Sequence, residues 1–167
     1  KKKDCIMSNT QTYINSNIGS INSESTELLQ LVSFMIGNEE FGVDILKVQE
    51  INRILQVTKV PNAPDYIDGV INLRGRVIPV IDLRTRIGLN RIEHDKSTRV
   101  VVVELEGKTV GFVVDAVSEV LRIPKSITEP PPPLVAGINS DFITAVGKLE
   151  ARLLILLDLD KILSVSE

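Results

Sequence analysis

The chain has 167 residues, 43% of them hydrophobic, with a net charge of −3 and a pI near 5.3. That length fits one domain and that composition is globular rather than disordered, while the acidic balance is the wrong sign for a nucleic-acid binder, which concentrates a basic face. The longest apolar stretch, Leu153 to Leu157, is far short of the ~20 residues of a membrane span. Polar residues follow Lys1, Lys2 and Lys3, so no secretory segment is expected there. Cys5 is the only cysteine, which excludes an internal disulfide and points to a reducing cytoplasm.

In chain order, residues 1–27 read as a flexible polar tail. Residues 8–26 are dense in Ser, Asn and Thr without a period, and the terminal lysines read as a tag or tail remnant. Order is expected from Leu28. Val32, Phe34 and Ile36 alternate with Ser33 and Met35, Gly37-Asn38 marks a tight turn, and Phe41 and Val43 resume, which predicts a hairpin. A short helix is predicted over Asp44 to Ile51, with Ile45, Val48 and Ile51 on one face. Val77 to Ile81 reads as a buried strand in which Pro79, lacking an N–H, marks an edge or a bulge. A second short helix covers Leu83 to Ile87 and stops at Gly88. Arg99–Leu105 and Thr109–Val114 flank Glu106-Gly107-Lys108 as a second hairpin. Leu153 to Leu159 is the last strong strand, and a third short helix is predicted over Asp160 to Val165.

An internal repeat organises these elements. Phe41-Gly-Val-Asp44 followed by Glu50-Ile51 resembles Phe112-Val-Val-Asp115 followed by Glu119-Val120. Val57-Thr58 and Pro61 are echoed by Ile127-Thr128 and Pro130, and Val70 to Leu83 resembles Val146 to Leu159. The offset stays at about seventy residues and drifts slowly with loop length, as in a tandem duplication. Two such units imply a mostly β fold of two small five-stranded barrels that share a core, because a unit of about sixty residues buries too little surface alone. The groove between them is a candidate binding site.

Residues that carry enzymatic chemistry are scarce. Phosphate-binding and nucleophile-elbow motifs are missing, and one histidine with one cysteine cannot build an ordinary zinc site. His94 lies in the polar stretch Asn90 to Ser97 and reads as a linker residue. Asp44, Asp82, Asp115 and Asp158 each follow an apolar strand; they read as N-caps of short helical turns, with a metal or acid–base carboxylate ring as the alternative. Pro130 to Pro133 reads as a stiff connector rather than a polyproline ligand.

Where the halves differ, function is the candidate reason. Asn72-Leu73-Arg74-Gly75 is replaced by Lys148-Leu149-Glu150-Ala151 in the second half. An arginine beside a turn glycine suits bidentate bonding to a partner's carboxylate or carbonyls, and an ordinary surface arginine at a hairpin is the equal alternative. The stripe Ile45, Val48, Ile51 is core, or a docking face if it borders the groove.

Three segments carry a family resemblance: Phe41-Gly-Val-Asp-Ile-Leu-Lys-Val-Gln-Glu-Ile51, Asp68-Gly-Val-Ile-Asn-Leu-Arg-Gly-Arg-Val-Ile-Pro-Val-Ile-Asp-Leu83, and Gly111-Phe-Val-Val-Asp-Ala-Val-Ser-Glu-Val-Leu121. Over roughly Leu28 to Leu163 the chain resembles the CheW family of bacterial chemotaxis coupling proteins. The resemblance implies two SH3-like barrels in a single domain over 28–167, with halves at about 28–90 and 99–163 between which strands can exchange. It implies a cytoplasmic, non-enzymatic adaptor with no cofactor or metal. Such an adaptor couples a CheA-type histidine kinase, through the kinase's regulatory domain, to the cytoplasmic hairpin tips of chemoreceptors. Protein contacts alone, without membrane insertion, recruit it to receptor arrays. Carried over residue by residue, the receptor-binding groove comprises Val32, Ile45, Val48, Glu50, Gly69, Asn72, Arg74 and Gly75, with Arg74 the leading position. The resemblance assigns no kinase-docking residues. With the sequence ending at Glu167, neither a CheV-type receiver domain nor a kinase module is expected. The alternative within the family is a regulatory domain cut from a CheA-type kinase, against which the long polar N-terminus speaks. An enzyme built on the strand-end aspartates is the alternative from another class.

Overall fold

A computed structural model describes residues 27–54, 56–135 and 137–164. The expected tail up to residue 26, including Cys5, and Val165 at the end of the third predicted helix lie outside them. The first half runs β1 (Leu28–Ile36), β2 (Glu39–Asp44), β3 (Val48–Arg53), β4 (Ile67–Leu73), β5 (Arg76–Asp82) and α1 (Leu83–Arg86). The second runs β6 (Arg99–Leu105), β7 (Lys108–Val114), β8 (Ala116–Pro124), β9 (Thr128–Glu129), β10 (Leu134–Val135), β11 (Ile138–Asn139), β12 (Ile143–Leu149), β13 (Arg152–Leu157) and α2 (Leu159–Leu163). No helix among the described residues is long and apolar enough to cross a membrane.

The element order recurs between the halves, down to matching backbone bonds. The Asp82 N–H donates to the Tyr66 carbonyl at 2.8 Å, and the Asp158 N–H to that of Phe142 at 2.9 Å. The halves do not fold separately, however. The five-stranded sheet is ordered β3-β6-β7-β5-β4 and the six-stranded sheet β8-β1-β2-β13-β12-β9, so each takes its leading hairpin from the other half. One sheet has six strands rather than the expected five because β9 adds an edge. Each sheet curls on itself: the chain leaving edge strand β8 passes through the turn Lys125–Ile127 directly onto β12 as β9, and the chain leaving β3 reaches β4 at the bridge Thr58↔Val70.

Both faces of the central strands are buried, which explains their unbroken apolar runs. Val100 and Val102 point into the five-stranded barrel with Ile71, Ile78 and Val80, while Val101 and Val103 join a larger core that draws on both sheets. Leu154 and Leu156 fill the six-stranded barrel, and Ile155 and Leu157 face that same shared core.

Three sequence expectations are corrected. Asp44 to Ile51 is not a helix: a 3-10 turn over Ile45–Lys47 leads straight into β3. Pro79 is not at an edge, since β5 lies between β7 and β4. Val70, opposite Pro79, sends its N–H and C=O outward to Thr58 at 2.8 and 2.9 Å, and pairing with β7 begins only at Val80. No partner therefore asks Pro79 for an N–H.

The third correction concerns Asp115. Asp44, Asp82 and Asp158 do cap turns, accepting from the N–H groups of Leu46, Arg84 and Lys161, but β8 starts immediately after Asp115 and leaves no helix to cap. Its carboxylate instead takes Arg84 as a fork, Nε at 3.0 Å and Nη2 at 2.6 Å, plus the Gly37 N–H at 2.7 Å. Burial acts to raise this carboxyl, but the Arg84 hydrogen bonds, the Gly37 N–H and the guanidinium charge outweigh it and hold the group below its ordinary value. The Asp115 hydrogen bonds, against opposition from burial and with help from the charges of Asp115 and Asp82, raise Arg84. A depressed carboxyl contributes stability that is complete above its unfolded value, about 3.9, and is lost as pH falls through the lower folded value. Asp115→Asn should therefore cost about 1–3 kcal/mol at neutral pH. Its urea midpoint should converge with that of the parent below about pH 4; parallel midpoint curves down to strongly acid pH would contradict this.

Candidate docking site

Along β3 burial alternates: Val48, Glu50 and Asn52 are half-buried, while Gln49, Ile51 and Arg53 are exposed. A bulge at Gln49 offsets the faces, however: Val48 and Ile51 pair with Val103 and Val101 on the side of the shared core, while Glu50 and Asn52 pair with Val102 and Val100 on the opposite side. The neighbouring β4–β5 turn consists of Arg74 and Gly75 with φ of 54° and 81°, the pair of positive values that a two-residue type I′ hairpin requires. Asn72 Oδ1 accepts the Gly75 N–H at 3.0 Å and pins the turn.

This turn brings Arg74 over β3. Arg74 Nη1 donates to Glu50 Oε2 at 2.8 Å, and Asn52 Nδ2 donates to Glu50 Oε1 at 2.7 Å. The Arg74 side chain remains 77% exposed and that of Glu50 21%. So exposed a pair contributes only about 0–1 kcal/mol. What the arrangement supplies is aim: Glu50 fixes the guanidinium in place through one donor, and the others have no partner among the described residues. A guanidinium held this way is suited to a second, bidentate acceptor on a partner. The second half lacks the device. Glu150 occupies the position of Arg74, and Arg152 is drawn down onto Glu40 and Glu119 at 3.1 and 3.4 Å.

Of the predicted groove residues, Glu50, Asn72, Arg74 and Gly75 form one patch, whereas Val48 lies on the other face of β3. Ile45 and Val48 are half-buried against the core shared by the barrels. Val32 is only 3% exposed within that core, which leaves no side chain to offer a partner. Gly69 is buried, and an added Cβ would stand 2.3 Å from the Thr58 carbonyl oxygen; its role is barrel closure. Both residues leave the candidate site.

Sequence reasoning missed Leu46, the most exposed large apolar residue described, at 88%. The signal was an apolar residue directly after a turn's first position, where the Asp44 cap fixes its N–H and no interior lies opposite. A cleft of about 520 Å³ opens beside it, lined among others by Leu28, Leu31, Lys47, Leu159 and Asp160.

Elsewhere chemistry is sparse. His94 Nε2 stands 3.9 Å from Asp68, whose other oxygen is held by Arg91. Pro130 to Pro133 joins β9 to β10. Among the described residues no three His, Cys, Asp or Glu side chains gather to hold a metal ion.

A family model described as a CheW-like domain matches residues 30–167. The chemotaxis protein CheW of Klebsiella aerogenes is 43% identical over 138 residues, covering 83% of this chain and 83% of that protein. The chemotaxis protein CheW of Helicobacter pylori is 37% identical over 145 residues, 87% of each chain. The crystal structure of the scaffolding protein TtCheW from Thermoanaerobacter tengcongensis matches with a TM-score of 0.78 at 36% identity, covering 84% of this chain and 95% of that one. The chain belongs to the CheW family, the non-enzymatic adaptors of chemotaxis.

Proposed function

We propose that residues 28–167 act as one two-barrel module that bridges a CheA-type histidine kinase and the cytoplasmic hairpin tips of chemoreceptors, and that Arg74 reads the receptor. The observation that carries this reading is the Arg74 guanidinium, 77% exposed at a hairpin tip yet aimed by Glu50 at 2.8 Å. Leu46, 88% exposed in the turn that leads into β3, adds apolar surface of the kind a helical tip needs. The chain acts by geometry. Binding two partners at once raises their effective concentration for each other, so weak single contacts add up to a stable assembly. Control of the kinase then requires that two receptor states contact the adaptor differently.

Charge reversal separates direct reading from an internal role. Arg74→Glu should weaken binding to a soluble receptor-tip fragment by about tenfold or more, the loss of an interface hot spot. Binding to the kinase's regulatory domain should be unchanged. The swapped pair Glu50→Arg/Arg74→Glu rebuilds the internal ion pair but should remain weak towards the fragment. Recovery of parental affinity in the swapped pair would show that Arg74 works only through Glu50.

A further inference from the structure

The halves differ again at the short helix that follows each last strand. With Leu83 aligned on Leu159, Arg84 of α1 stands where α2 has Asp160, and Arg86 where α2 has Ile162. Helix α1 follows β5 and so belongs to the five-stranded barrel, but both of its arginines reach out of that barrel. Arg84 forks onto Asp115 at the crossing from β7 to β8, and the same carboxylate holds the Gly37 N–H in the β1–β2 turn of the other barrel.

Arg86 binds elsewhere. Its guanidinium carbon lies 4.8 Å from the ring centroid of Tyr66 and 5.0 Å from that of Phe142, close enough for both rings to attract the cation. Tyr66 leads into β4 of one barrel, while Phe142 leads into β12 of the other. Arg86 Nε also donates to the Ile162 carbonyl at 2.8 Å and Nη2 to that of Lys161 at 3.3 Å. These are last-turn carbonyls that α2 cannot satisfy itself. In return α2 offers only the Lys47–Asp160 pair at 3.1 Å, with side chains 36% and 57% exposed.

Chain crossings between the barrels are short: Ile45–Lys47 between β2 and β3, and Asp115 alone between β7 and β8. Two crossings define an axis of tilt. The shared apolar core opposes separation of the barrels, but apolar burial is non-directional. A bidentate fork and a stacked guanidinium are directional. Arg84 acts at one of the crossings, and Arg86 acts on groups outside them.

We propose that α1 is a cross-brace that sets the angle between the two barrels, with Arg86 as its positioning residue. Its consequence rests on the bridging reading: an adaptor that works by geometry needs this angle fixed to present kinase and receptor in register.

The test places spin labels on one hairpin tip of each barrel, through Glu106→Cys and Glu150→Cys in a Cys5→Ser background, and reads their distance distribution by double electron–electron resonance. The parent should give one narrow distribution. Arg86→Met keeps the apolar stem but removes the cation and its donors, and should widen or shift the distribution. Arg76→Met, whose bond to Thr109 stays within one barrel, should leave it unchanged. Arg86→Lys keeps the charge without the planar fork; it should fall between, and it serves if the methionine variant does not fold. A folded Arg86 variant whose distribution superimposes on the parent's would overturn the brace. In co-sedimentation the same variant should bind kinase and receptor singly like the parent but carry less kinase to receptor membranes. Undiminished carriage despite a widened distribution would overturn the link from angle to assembly. If the parent itself carries no kinase, the bridging reading fails, while the label distances still decide the brace.

Discussion

Phe112→Ala is expected to cost about 3–5 kcal/mol, a large share of the ~5–15 kcal/mol that keeps a domain of this size folded. Phe112 is fully buried on β7 of the five-stranded sheet, and its ring centroid lies 5.6 Å from that of Phe34 on β1 of the six-stranded sheet. Phe34 in turn stacks on Phe41 at 6.0 Å. These three rings fill the middle of the core drawn from both sheets, so truncating Phe112 opens a cavity that neither barrel can close by collapsing alone. The described aromatic residues are Phe34, Phe41, Tyr66, Phe112 and Phe142, and all of them pack in or against this shared core. Urea unfolding of Phe112→Ala and Phe112→Leu checks the claim. Leucine keeps most of the volume and should cost less than about 1.5 kcal/mol. A loss below about 1 kcal/mol for alanine would mean that the barrels do not depend on one another through this core.

Gly69→Ala should be the most damaging single-methyl addition, costing about 3 kcal/mol, at the upper end for overpacking. The new Cβ would meet the Thr58 carbonyl oxygen at 2.3 Å and Val57 Cγ1 at 2.7 Å, and Gly69 holds a φ of 151° that other residues rarely adopt. Thr58 exchanges both of its backbone bonds with Val70, next to Gly69. Relieving the clash must therefore push away the segment that closes the five-stranded barrel. Hydrogen exchange reads this locally: the Thr58 and Val70 amides should lose protection in Gly69→Ala while the Val101 amide, in the middle of the sheet, keeps it. Intact protection at Thr58 would show that the closing segment yields without cost, returning Gly69 to the list of candidate partner contacts.

What was legible in the sequence is what local chemistry determines. Gly37-Asn38 and Glu106-Gly107-Lys108 announced hairpin turns, the second one residue shorter in the structure because Lys108 pairs with Leu105, three strand-end aspartates announced capped turns, and the paired Phe and Asp positions announced two equivalent units. Strand exchange between the halves was open only through the family resemblance and not through the residue pattern, because β1 pairs with β8 and β2 with β13 over separations that periodicity cannot register. Val48 to Ile51 was misread because apolar residues three apart fit a helix as well as a strand flanked by a turn. Asp115 looked like Asp44, and only its neighbour Arg84, thirty-one residues away in sequence, gave it another role. Arg74 stood out because the halves differ there, and Arg84 and Arg86 carried the same signal. Val32 and Gly69 came from resemblance alone, which conveys position but not burial.

The proposed bridge holds kinase and receptor together through a site that includes Arg74. Co-sedimentation with a cognate CheA-type kinase and receptor-containing membranes tests it most directly, comparing the parent with Arg74→Glu. The parent is expected to bring kinase into the membrane pellet, and Arg74→Glu to bind kinase but leave it in the supernatant. Equal carriage by both proteins would contradict the assigned site, and a parent that leaves the kinase in the supernatant would contradict the bridge itself.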